Sequence, residues 1–449
     1  MYCILYESIK YIGNITTMKK RSNIKIAALG GCGGMGAVAI KAILEKDFYE
    51  KIIIADRDIN RANEFIDSCN DKRLYTKELD VSNSDALCKL FETVDVVINT
   101  VGPYYRFGLP ILKTAIKKGC HYIDLNDDWR PTLDMLSLDS YAKKADITAI
   151  IGVGASPGIS NMLAVKAIKS LDQTDSLITG WGSGGKRLSY LFKANKVSGG
   201  GSYGAAIDHL LKQLTGTISV RKENEWQDII PFKEKKITFP GRGVISAYTV
   251  GHPEPVTIPR FFPEIKDCYN VMNLPSFLTE ALQWVVDQIN IEKLTCHSGA
   301  ALLTDIESNW KTCVLKSKGR EFSWAILKKI IKSPDSFLLN TIRDLTYPGA
   351  YLPEIFAIAS GQKNGKARIA TARLTSSIKG PYKMENMAAL TGVPLSVGLS
   401  MLVNQTNEPG VLTPEIAFDA NTFFDSLAPL CSPKRKTYED LVKIEISNI

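Results

Sequence analysis

Short apolar runs alternate with helical patterns up to about residue 155. Runs such as Lys51–Ala55 show little alternation of polar and apolar positions, which is typical of parallel strands covered by helices on both faces. The predicted strands are Ile24–Leu29, Lys51–Ala55, Leu74–Val81, Val94–Thr100, His121–Asp124 and Ile147–Val153. The predicted helices are Ala37–Leu44, Asn60–Cys69 and Leu109–Lys118. This order predicts an α/β fold with a doubly wound parallel sheet, whose ligands bind at the carboxyl ends of the strands.

The pattern changes from about residue 175, where strand-like runs mix with glycine-rich loops. Asn364-Gly365 is a strong signal for the turn of a β-hairpin. Further strands are predicted at Leu177–Trp181, Ile237–Phe239, Ala247–Val250 and Ala367–Ser376. Helices are predicted at Phe277–Ile289, Phe322–Ile331 and Met384–Leu402. The chain therefore combines the first sheet with a second α/β region.

Composition and charge narrow the class of protein. A chain of 449 residues with 45% hydrophobic residues has room for two or three domains. The net charge of +8 comes from scattered basic residues, which favours a solvated surface over a nucleic-acid site. An odd count of nine cysteines without a CxxC pair favours reduced thiols, and therefore a cytoplasmic protein.

The chain start and the apolar segments carry no membrane signal. No stretch approaches 18 continuous apolar residues, so no stable membrane insertion is predicted. The apolar run Met1–Tyr6 has no basic region before it, which argues against a secretory signal. We expect residues 1–20 to be a disordered leader, with Met18 as the native start.

A glycine motif joins the first predicted strand to the first predicted helix. Gly31-Cys32-Gly33-Gly34-Met35-Gly36 matches the pattern G-x-G-x-x-G. Its glycines permit a tight turn, a close approach of the backbone to a pyrophosphate and close helix packing, and the helix N-terminus favours phosphate. Asp56 follows Gly36 by 20 residues, at the end of the second strand, where an acid binds ribose hydroxyls. The sequence therefore predicts a Rossmann domain that binds NAD or NADP.

The choice between the two cofactors stays open. Asp56 favours NAD, whereas Arg57 could hold the 2′-phosphate of NADP or be a solvated surface arginine. Asp80-Val81, at the end of the third strand, could contact adenine, although Asp80 could equally cap the next helix.

Other known binding and catalytic motifs are incomplete, misplaced or missing in this sequence. Gly180–Lys186 resembles a phosphate-binding loop, but Arg187 stands where a serine or threonine would bind Mg²⁺. A Tyr-x-x-x-Lys pair occurs only at Tyr6–Lys10, ahead of the first strand. Four histidines are present and none forms H-E-x-x-H, so no catalytic metal is predicted.

Three segments after the glycine motif resemble the saccharopine dehydrogenase (saccharopine reductase-like) family. They are Asp95–Tyr105, with Asn99 and Gly102-Pro103, then His121–Asp124, then Gly154–Asn161, with Ser156-Pro157-Gly158. The resemblance is strong over residues 24–165 and thinner through 251–255, 391–394 and 410–415, and residues 277–345 match nothing in the family. The chain is most similar to bacterial and archaeal members without an assigned substrate, so saccharopine is not taken as its substrate.

The resemblance implies a Rossmann domain with an inserted α/β substrate domain and a C-terminal segment that returns to the Rossmann domain. We expect the Rossmann domain at 21–160, the substrate and dimerisation domain at 161–383 with a helical insert at 277–345, and the returning segment at 384–449. Family chemistry implies NAD(P)-linked hydride transfer at a carbon–nitrogen bond of a small amino-acid or polyamine-like substrate. A homodimer is expected because family members often pair through the substrate domain.

Loops after the fourth and sixth strands are expected to hold the nicotinamide half of the cofactor. The expected contacts are Asn99, Val101, Gly102, Pro103, Ser156, Pro157 and Gly158, although plain turn chemistry also explains the glycines and prolines. Ser160 is expected to be the N-cap of the following helix.

Hydride transfer to an imine also needs a proton donor. The predicted catalytic residues are Tyr104, Asp124, Asp128 and His252. Asp127 and Asp128 could bind a cationic amine or lie in a solvated loop, His121 could be structural, and Glu254 shares a proline-rich loop with His252. A dicarboxylate substrate would call for arginine, for which the candidates are Arg106, Arg130, Arg187 and Arg242.

Two rival functions remain. The chain could be a catalytically idle cofactor-binding sensor or scaffold, which a cleft filled by the 277–345 insert would favour. Alternatively, that insert could lie against a membrane or a partner, with an enzyme that acts on a lipid-like substrate.

Overall fold

A computed structural model describes residues 23–182, 203–313, 317–332, 352–375, 387–405, 407–431 and 437–448. The predictions for the leader, Met18, Tyr6–Lys10 and Arg187 lie outside these residues.

The first sheet has seven strands, all parallel, and confirms the predicted Rossmann-type fold. Its strands are β1 (Ile24–Leu29), β2 (Tyr49–Asp56), β3 (Leu74–Glu78), β4 (Val96–Asn99), β5 (His121–Asp124), β6 (Thr148–Ile150) and β15 (Gly410–Leu412). They are ordered β15-β6-β5-β4-β1-β2-β3, so the chain reverses direction between β1 and β4. This reversal is the point at which doubly wound sheets bind their ligands.

Helices cover both faces of the first sheet. They are α1 (Gly34–Leu44), α2 (Ile59–Cys69), α3 (Ser84–Phe91), α4 (Tyr104–Lys118), α5 (Trp129–Leu136) and α6 (Asp139–Lys144). Alternate strand residues divide between two apolar clusters: Ile26 and Ile98 belong to one, Ala27 and Val97 to the other. Both faces are therefore buried, which explains the unbroken apolar runs in the sequence.

Helix ends follow local rules, with two corrections to the predicted caps. Gly119 ends α4 in the left-handed conformation (φ 70°), as glycine at this position commonly does. Asn83, rather than Asp80, caps α3 by accepting from the N–H of Ala86. Ser160 lies inside the first turn of α7 (Ile159–Ile168), whose N-cap is Gly158, because the Ser160 hydroxyl is directed to another partner.

The second sheet has nine strands and is mixed. Its strands are β7 (Gln173–Gly182), β8 (Ile218–Lys222), β9 (Glu225–Ile229), β10 (Glu234–Phe239), β11 (Gly243–Thr249), β12 (Asp267–Asn273), β13 (Ile355–Lys363), β14 (Lys366–Leu374) and β16 (Val442–Asn448). The predicted hairpin turn is confirmed: Asn364 (φ 51°) and Gly365 (φ 69°) join β13 to β14. Positive φ at both central residues defines a type I′ turn, which matches strand twist.

Helices of the second region form a separate apolar cluster. They are α8 (Tyr203–Gln213), α9 (Glu254–Phe261), α10 (Ser276–Asn290), α11 (Cys296–Cys313) and α12 (Ser317–Lys332). Leu211 of α8 packs with α10, α11 and α12, and Trp284 meets the ring of Phe322 edge-on at 5.3 Å. The described part of the insert is thus anchored to the apolar side of α8.

The C-terminal segment divides between the two sheets. Helix α13 (Met387–Asn404) packs on α1 so closely that a Cβ on Gly392 would lie 2.5 Å from the carbonyl oxygen of Met35. This 18-residue helix is long and apolar enough to cross a membrane, but 67% of it is buried inside the protein, as in a core helix. Strand β15 then pairs with β6, and α14 (Pro414–Ala417), α15 (Ala420–Leu427) and α16 (Tyr438–Leu441) follow.

Strand β16 departs from the prediction that residues 384–449 pack on the Rossmann domain. It pairs antiparallel with β14 in the second sheet, from Val442 opposite Leu374 to Asn448 opposite Arg368. The physical reason is that β14 would otherwise present an unpaired backbone edge. The other domain boundaries stay predictions.

Candidate active site

The glycine loop between β1 and α1 has the geometry of a phosphate site. A Cβ on Gly36 would lie 2.5 Å from the Gly30 carbonyl oxygen and 2.7 Å from Thr100 Oγ1, so only glycine fits. Gly34 and Met35 are exposed in the first turn of α1, where backbone N–H groups have no helical partner. These residues fit a cofactor pyrophosphate, as predicted from the motif.

Asp56 stands at the end of β2, beside the loop. Its Oδ2 accepts from the Cys32 thiol at 3.1 Å and its Oδ1 accepts from the Asp58 N–H at 3.0 Å. Burial and the Asp56 carboxylate raise the pKa of Cys32 to about 12, so this thiol stays protonated and remains a donor. Each carboxylate oxygen can accept a second bond, so Asp56 can still bind ribose hydroxyls.

Two arginines flank Asp56. Arg57 is exposed, and Arg61 of α2 donates from Nη2 to the carbonyl oxygen of Cys32 at 3.1 Å. Sequence reasoning found Arg57 and missed Arg61, whose position one turn into α2 was the available signal. The two cations are placed where a 2′-phosphate would need them.

Asp80 is exposed and accepts from the backbone and hydroxyl of Ser82 at 2.8 and 2.7 Å. Those bonds from Ser82, and then the charges of Arg57 and Arg106, lower its pKa. Asp80 therefore remains ionised beside Arg57, and its contact with adenine, like that of Val81, stays a prediction.

A buried hydrogen-bond chain ties the loops after β4, β5 and β6 together. Asn99 accepts from the Val101 N–H at 3.0 Å and donates to Tyr122, which donates to Asp124 at 2.8 Å. Asp124 also accepts from the N–H groups of Asn126 at 3.0 Å and Gly152 at 2.8 Å. Burial raises the pKa of Asp124 to about 6. Together these hydrogen bonds hold the backbone of the three loops in place.

These contacts correct two of the predicted catalytic roles. Asp124 is fully buried, and both its oxygens are committed to the loops. Tyr104 is 7% exposed; its hydroxyl donates to the Asn99 carbonyl at 3.0 Å and accepts from the Leu125 N–H at 3.2 Å. Burial also raises its pKa well above the ordinary value. Both side chains position the site, because neither has a proton directed toward a ligand.

Asp127 and Asp128, on the loop after β5, meet a histidine from the second region. His209 Nε2 of α8 lies 3.0 Å from Asp127 Oδ1 and 3.7 Å from Asp128 Oδ1. Burial opposes protonation of His209, but the Asp127 charge outweighs it and raises the pKa to about 9. Asp127 is correspondingly held ionised: burial opposes this, and His209 lowers its pKa nonetheless. The two side chains form an ion pair at neutral pH.

The carboxylate of Asp128 remains available to bind a ligand or to exchange a proton. Burial raises its pKa to about 6, and among the described residues its Oδ2 has no hydrogen-bond partner. The donor atoms of Asp127, Asp128 and His209 lie within 4.8 Å of one another, a spacing that the ion pair itself explains. The absence of a catalytic metal stays a prediction.

His252 approaches this cluster from the loop between β11 and α9. It is 5% exposed, and its Nδ1 lies 3.4 Å from Ser156 Oγ and 3.6 Å from Glu254 Oε2. His252 also lowers the pKa of both Asp127 and Asp128 through its charge. His252 thus contacts Ser156 of the segment after β6, and its contact with a substrate stays a prediction.

Comparison with known proteins shows which family the domain around the first sheet matches. Residues 26–150 match the family described as Saccharopine dehydrogenase NADP binding domain. The carboxynorspermidine synthase of Vibrio cholerae is 24% identical over 428 residues, which are 86% of this chain and 90% of that protein. A saccharopine dehydrogenase (L-Glu forming) structure from Saccharomyces cerevisiae shares the fold, with a TM-score of 0.59, 16% identity and coverage of 95% of this chain and 100% of that one. The match makes residues 26–150 a domain of the saccharopine dehydrogenase NADP binding type.

A further relative is the carboxyaminopropylagmatine dehydrogenase of Synechocystis, 20% identical over 53% of this chain and 59% of that protein. The matched NADP binding domain supports NAD or NADP as the cofactor. It also accounts for the glycine loop, which lies inside the matched residues.

The structure brings together only part of the predicted site. His252 contacts Ser156, and Asp128 lies beside His209, a residue that the sequence analysis missed. A signal for it existed, because the chain has only four histidines and His209 and Gln213 share a helix face. His121 is structural, since its Nδ1 accepts from the Thr148 N–H at 3.0 Å.

Three of the four arginine candidates for a carboxylate site lie within the described residues, and Arg187 does not. Arg242 lies at the opposite end of β11 from His252, about 20 Å away at the rise of a strand. Arg106 stacks on Phe107 and Arg130 on Trp129, and both arginines are exposed.

Proposed function

We propose that this protein is an NAD(P)-dependent oxidoreductase that transfers hydride at a carbon–nitrogen bond of an amino-acid or polyamine-like substrate. The observation that carries the proposal is the buried Asp128 Oδ2, which has no hydrogen-bond partner among the described residues and lies just after β5 at the carboxyl edge of the first sheet. That edge also holds the glycine loop, at the point where doubly wound folds bind ligands.

The charges of the cluster suit an amine. Asp127 is neutralised by His209 at 3.0 Å, whereas Asp128 keeps one carboxylate oxygen without a partner among the described residues. An ammonium or iminium group would supply the missing charge and donor.

The proton chemistry is available on the same side chains. The bound cofactor supplies or accepts the hydride. In the reducing direction an imine carbon gains this hydride, and its nitrogen gains a proton from His252 or Asp128. A pKa of about 6 for Asp128 lies close enough to neutral pH for it to exchange a proton during turnover.

Two further observations support this proposal. The relatives named carboxynorspermidine synthase and carboxyaminopropylagmatine dehydrogenase are both named for amine-containing compounds. The described part of the 277–345 insert packs on the apolar side of α8, while the polar side, with His209 and Gln213, faces Asp127. A cleft filled by the insert would have favoured the idle cofactor-binding alternative.

The test is cofactor consumption in the presence of amines. NADPH and NADH are each supplied with polyamines or amino acids mixed with small aldehydes, and the oxidised cofactors with the amines alone. We expect amine-dependent turnover by the natural chain and its loss in Asp128→Asn. Cofactor binding without turnover of any amine would favour the idle alternative, and no binding of either cofactor would end the proposal. The homodimer and the cytoplasmic location stay predictions.

A further inference from the structure

A fully buried glutamate lies behind His252. Glu254 begins α9 in the second region and is 0% exposed. Burying a carboxylate away from water is costly unless its oxygens are satisfied, so the side chain needs a reason for being there.

The two oxygens of Glu254 are used differently. Oε1 accepts from the hydroxyls of Ser156 and Ser160, at 2.5 and 2.6 Å, both on the segment after β6 of the Rossmann domain. Oε2 has no hydrogen-bond partner among the described residues and lies 3.6 Å from His252 Nδ1. The two serines therefore orient the carboxylate so that its second oxygen faces the imidazole.

The carboxylate is charged in spite of its burial. Burial opposes ionisation of Glu254, but the proximity of His252 and the hydrogen bonds from Ser156 and Ser160 outweigh it and lower the pKa. Glu254 therefore faces Nδ1 of His252 as an anion. The other charged groups near the imidazole are Asp127, Asp128 and the protonated His209, on the cleft side.

An imidazole in this setting has a defined tautomer. A carboxylate beside one ring nitrogen keeps the proton on that nitrogen, which leaves the other nitrogen free to exchange protons. Here the proton belongs on Nδ1, and Nε2 becomes the exchanging atom.

We propose that Glu254 is a positioning residue that holds Nδ1 of His252, so that Nε2 exchanges the proton of the reaction with the substrate nitrogen. This inference rests on the proposed function. In the reducing direction the imine carbon gains hydride from NAD(P)H, the nitrogen gains the Nε2 proton, and His252 returns to neutral. Ser156 and Ser160 hold Glu254 and touch no reacting atom.

The experiment is histidine-selective ¹⁵N NMR on the full-length protein without substrate. The chain has four histidines, and His252→Gln identifies the His252 signals. In the natural chain we expect neutral His252 to carry its proton on Nδ1. Glu254→Gln keeps the size of the side chain and removes its charge, and should lower the His252 pKa by about one unit or more. Ser160→Ala, which keeps the carboxylate, is the matched control and should shift this pKa far less.

Kinetics supply the second readout. Glu254→Gln should lower kcat about 10- to 100-fold, as expected for impaired proton transfer, and leave the Kd for the cofactor unchanged. It should also move the His252-dependent limb of the pH profile toward acid. A purely structural role would weaken cofactor binding and leave the pH profile in place.

Two results would overturn the inference: a neutral His252 protonated on Nε2 in the natural chain, or an unmoved His252 pKa in folded Glu254→Gln. The tautomer is measured on the natural chain, so this test of the inference does not depend on whether a variant folds. Amine turnover with an unmoved pKa would refute this inference alone. The expected tautomer and pKa shift without amine turnover would refute the proposed function alone.

Discussion

The glycine loop and the acid–histidine cluster lie on the same edge of the first sheet but are assembled in opposite ways. The loop is built mainly from neighbours in sequence, Gly30 to Gly36, although Asp56, Thr100 and Gly392 pack against it. The cluster joins Asp127 and Asp128 to His209 of a distant helix, and the charge of His252, from a third segment, acts on both acids. A local turn can form from its own glycines, whereas the cluster exists only when both sheets are correctly placed.

The two regions also differ in their response to pH. The loop offers backbone N–H groups, which do not titrate in the physiological range. The cluster contains Asp128, with a pKa raised to about 6 by burial, and His209, with a pKa raised to about 9 by Asp127 despite burial. Binding of the cofactor phosphates should therefore depend weakly on pH, and turnover strongly.

The largest effect is expected from Gly36→Ala in the loop. The added Cβ would meet Gly30 and Thr100 at 2.5 and 2.7 Å, so β1 and α1 must separate and cofactor affinity should fall more than about 100-fold. Calorimetric titration with NADPH and NADH measures this loss. Gly34→Ala is the control, because its Cβ would meet nothing within 4 Å and the unfolding midpoint of the cofactor-free protein should be kept. Equal affinity in the two variants would contradict the steric argument.

Asp128→Asn tests the other side of the comparison. It removes the charge that no neighbour satisfies, and kcat should fall about 100-fold while the cofactor Kd stays unchanged. Steady-state kinetics and cofactor titration measure the two quantities. Asp134 is an exposed acid on α5, and Asp134→Asn gives the same change of net charge. This control should leave both kcat and the cofactor Kd unchanged. A parallel loss of cofactor affinity would show that cluster and loop are not separate.

The arginines beside Asp56 should affect affinity for one cofactor only. If NADP is the cofactor, Arg57→Ala and Arg61→Ala should each weaken NADPH binding about tenfold and leave NADH binding nearly unchanged, because each removes one contact to a phosphate. Calorimetry with both cofactors measures the difference. Tighter NADH binding that neither variant changes would make Asp56 the selecting residue and the protein an NAD enzyme.

The smallest effect is expected on the stability of the contact between the two regions. The folded pKa of His209, about 9, lies above its ordinary value of 6.5, so its ion pair stabilises fully below pH 6.5 and is lost as pH rises through about 9. His209→Gln should lower the free energy of unfolding by about 1 kcal/mol near neutral pH and by little above pH 9. Urea unfolding across this range is the measurement, with the exposed His297→Gln as control. A difference that persists unchanged at high pH would exclude the ion pair as its source.

Sequence reasoning succeeded where the chemistry is local. The glycine loop, Asp56 and the Asn364-Gly365 turn follow from short-range backbone requirements, and the structure shows each of them. It was less successful for Tyr104 and Asp124, where the residue type suggested catalysis. Their hydrogen bonds to buried backbone could not be inferred, because the partners come from different loops.

His209 was missed for the same reason: its contacts join segments that are distant in the sequence. It is separated from Asp127 by 82 residues, and no spacing rule connects the two. Glu254 is similar, since its contacts with Ser156 and Ser160 cross 98 and 94 residues. Residues 384–449 were expected to pack on the Rossmann domain, whereas β16 pairs with β14 of the second sheet, a pairing that no local pattern specifies.

The sequence by itself determined the parallel sheet, the cofactor loop and the family resemblance, because these depend on apolar periodicity and on glycines at fixed spacing. Only the tertiary structure decided which carboxylates are hydrogen-bonded to loops and which remain available to a substrate. The physical reason is that the ionisation of Asp124, Asp128 and Glu254 depends on burial and on partners brought from other segments. The fold sets those distances, and the order of residues along the chain does not contain them.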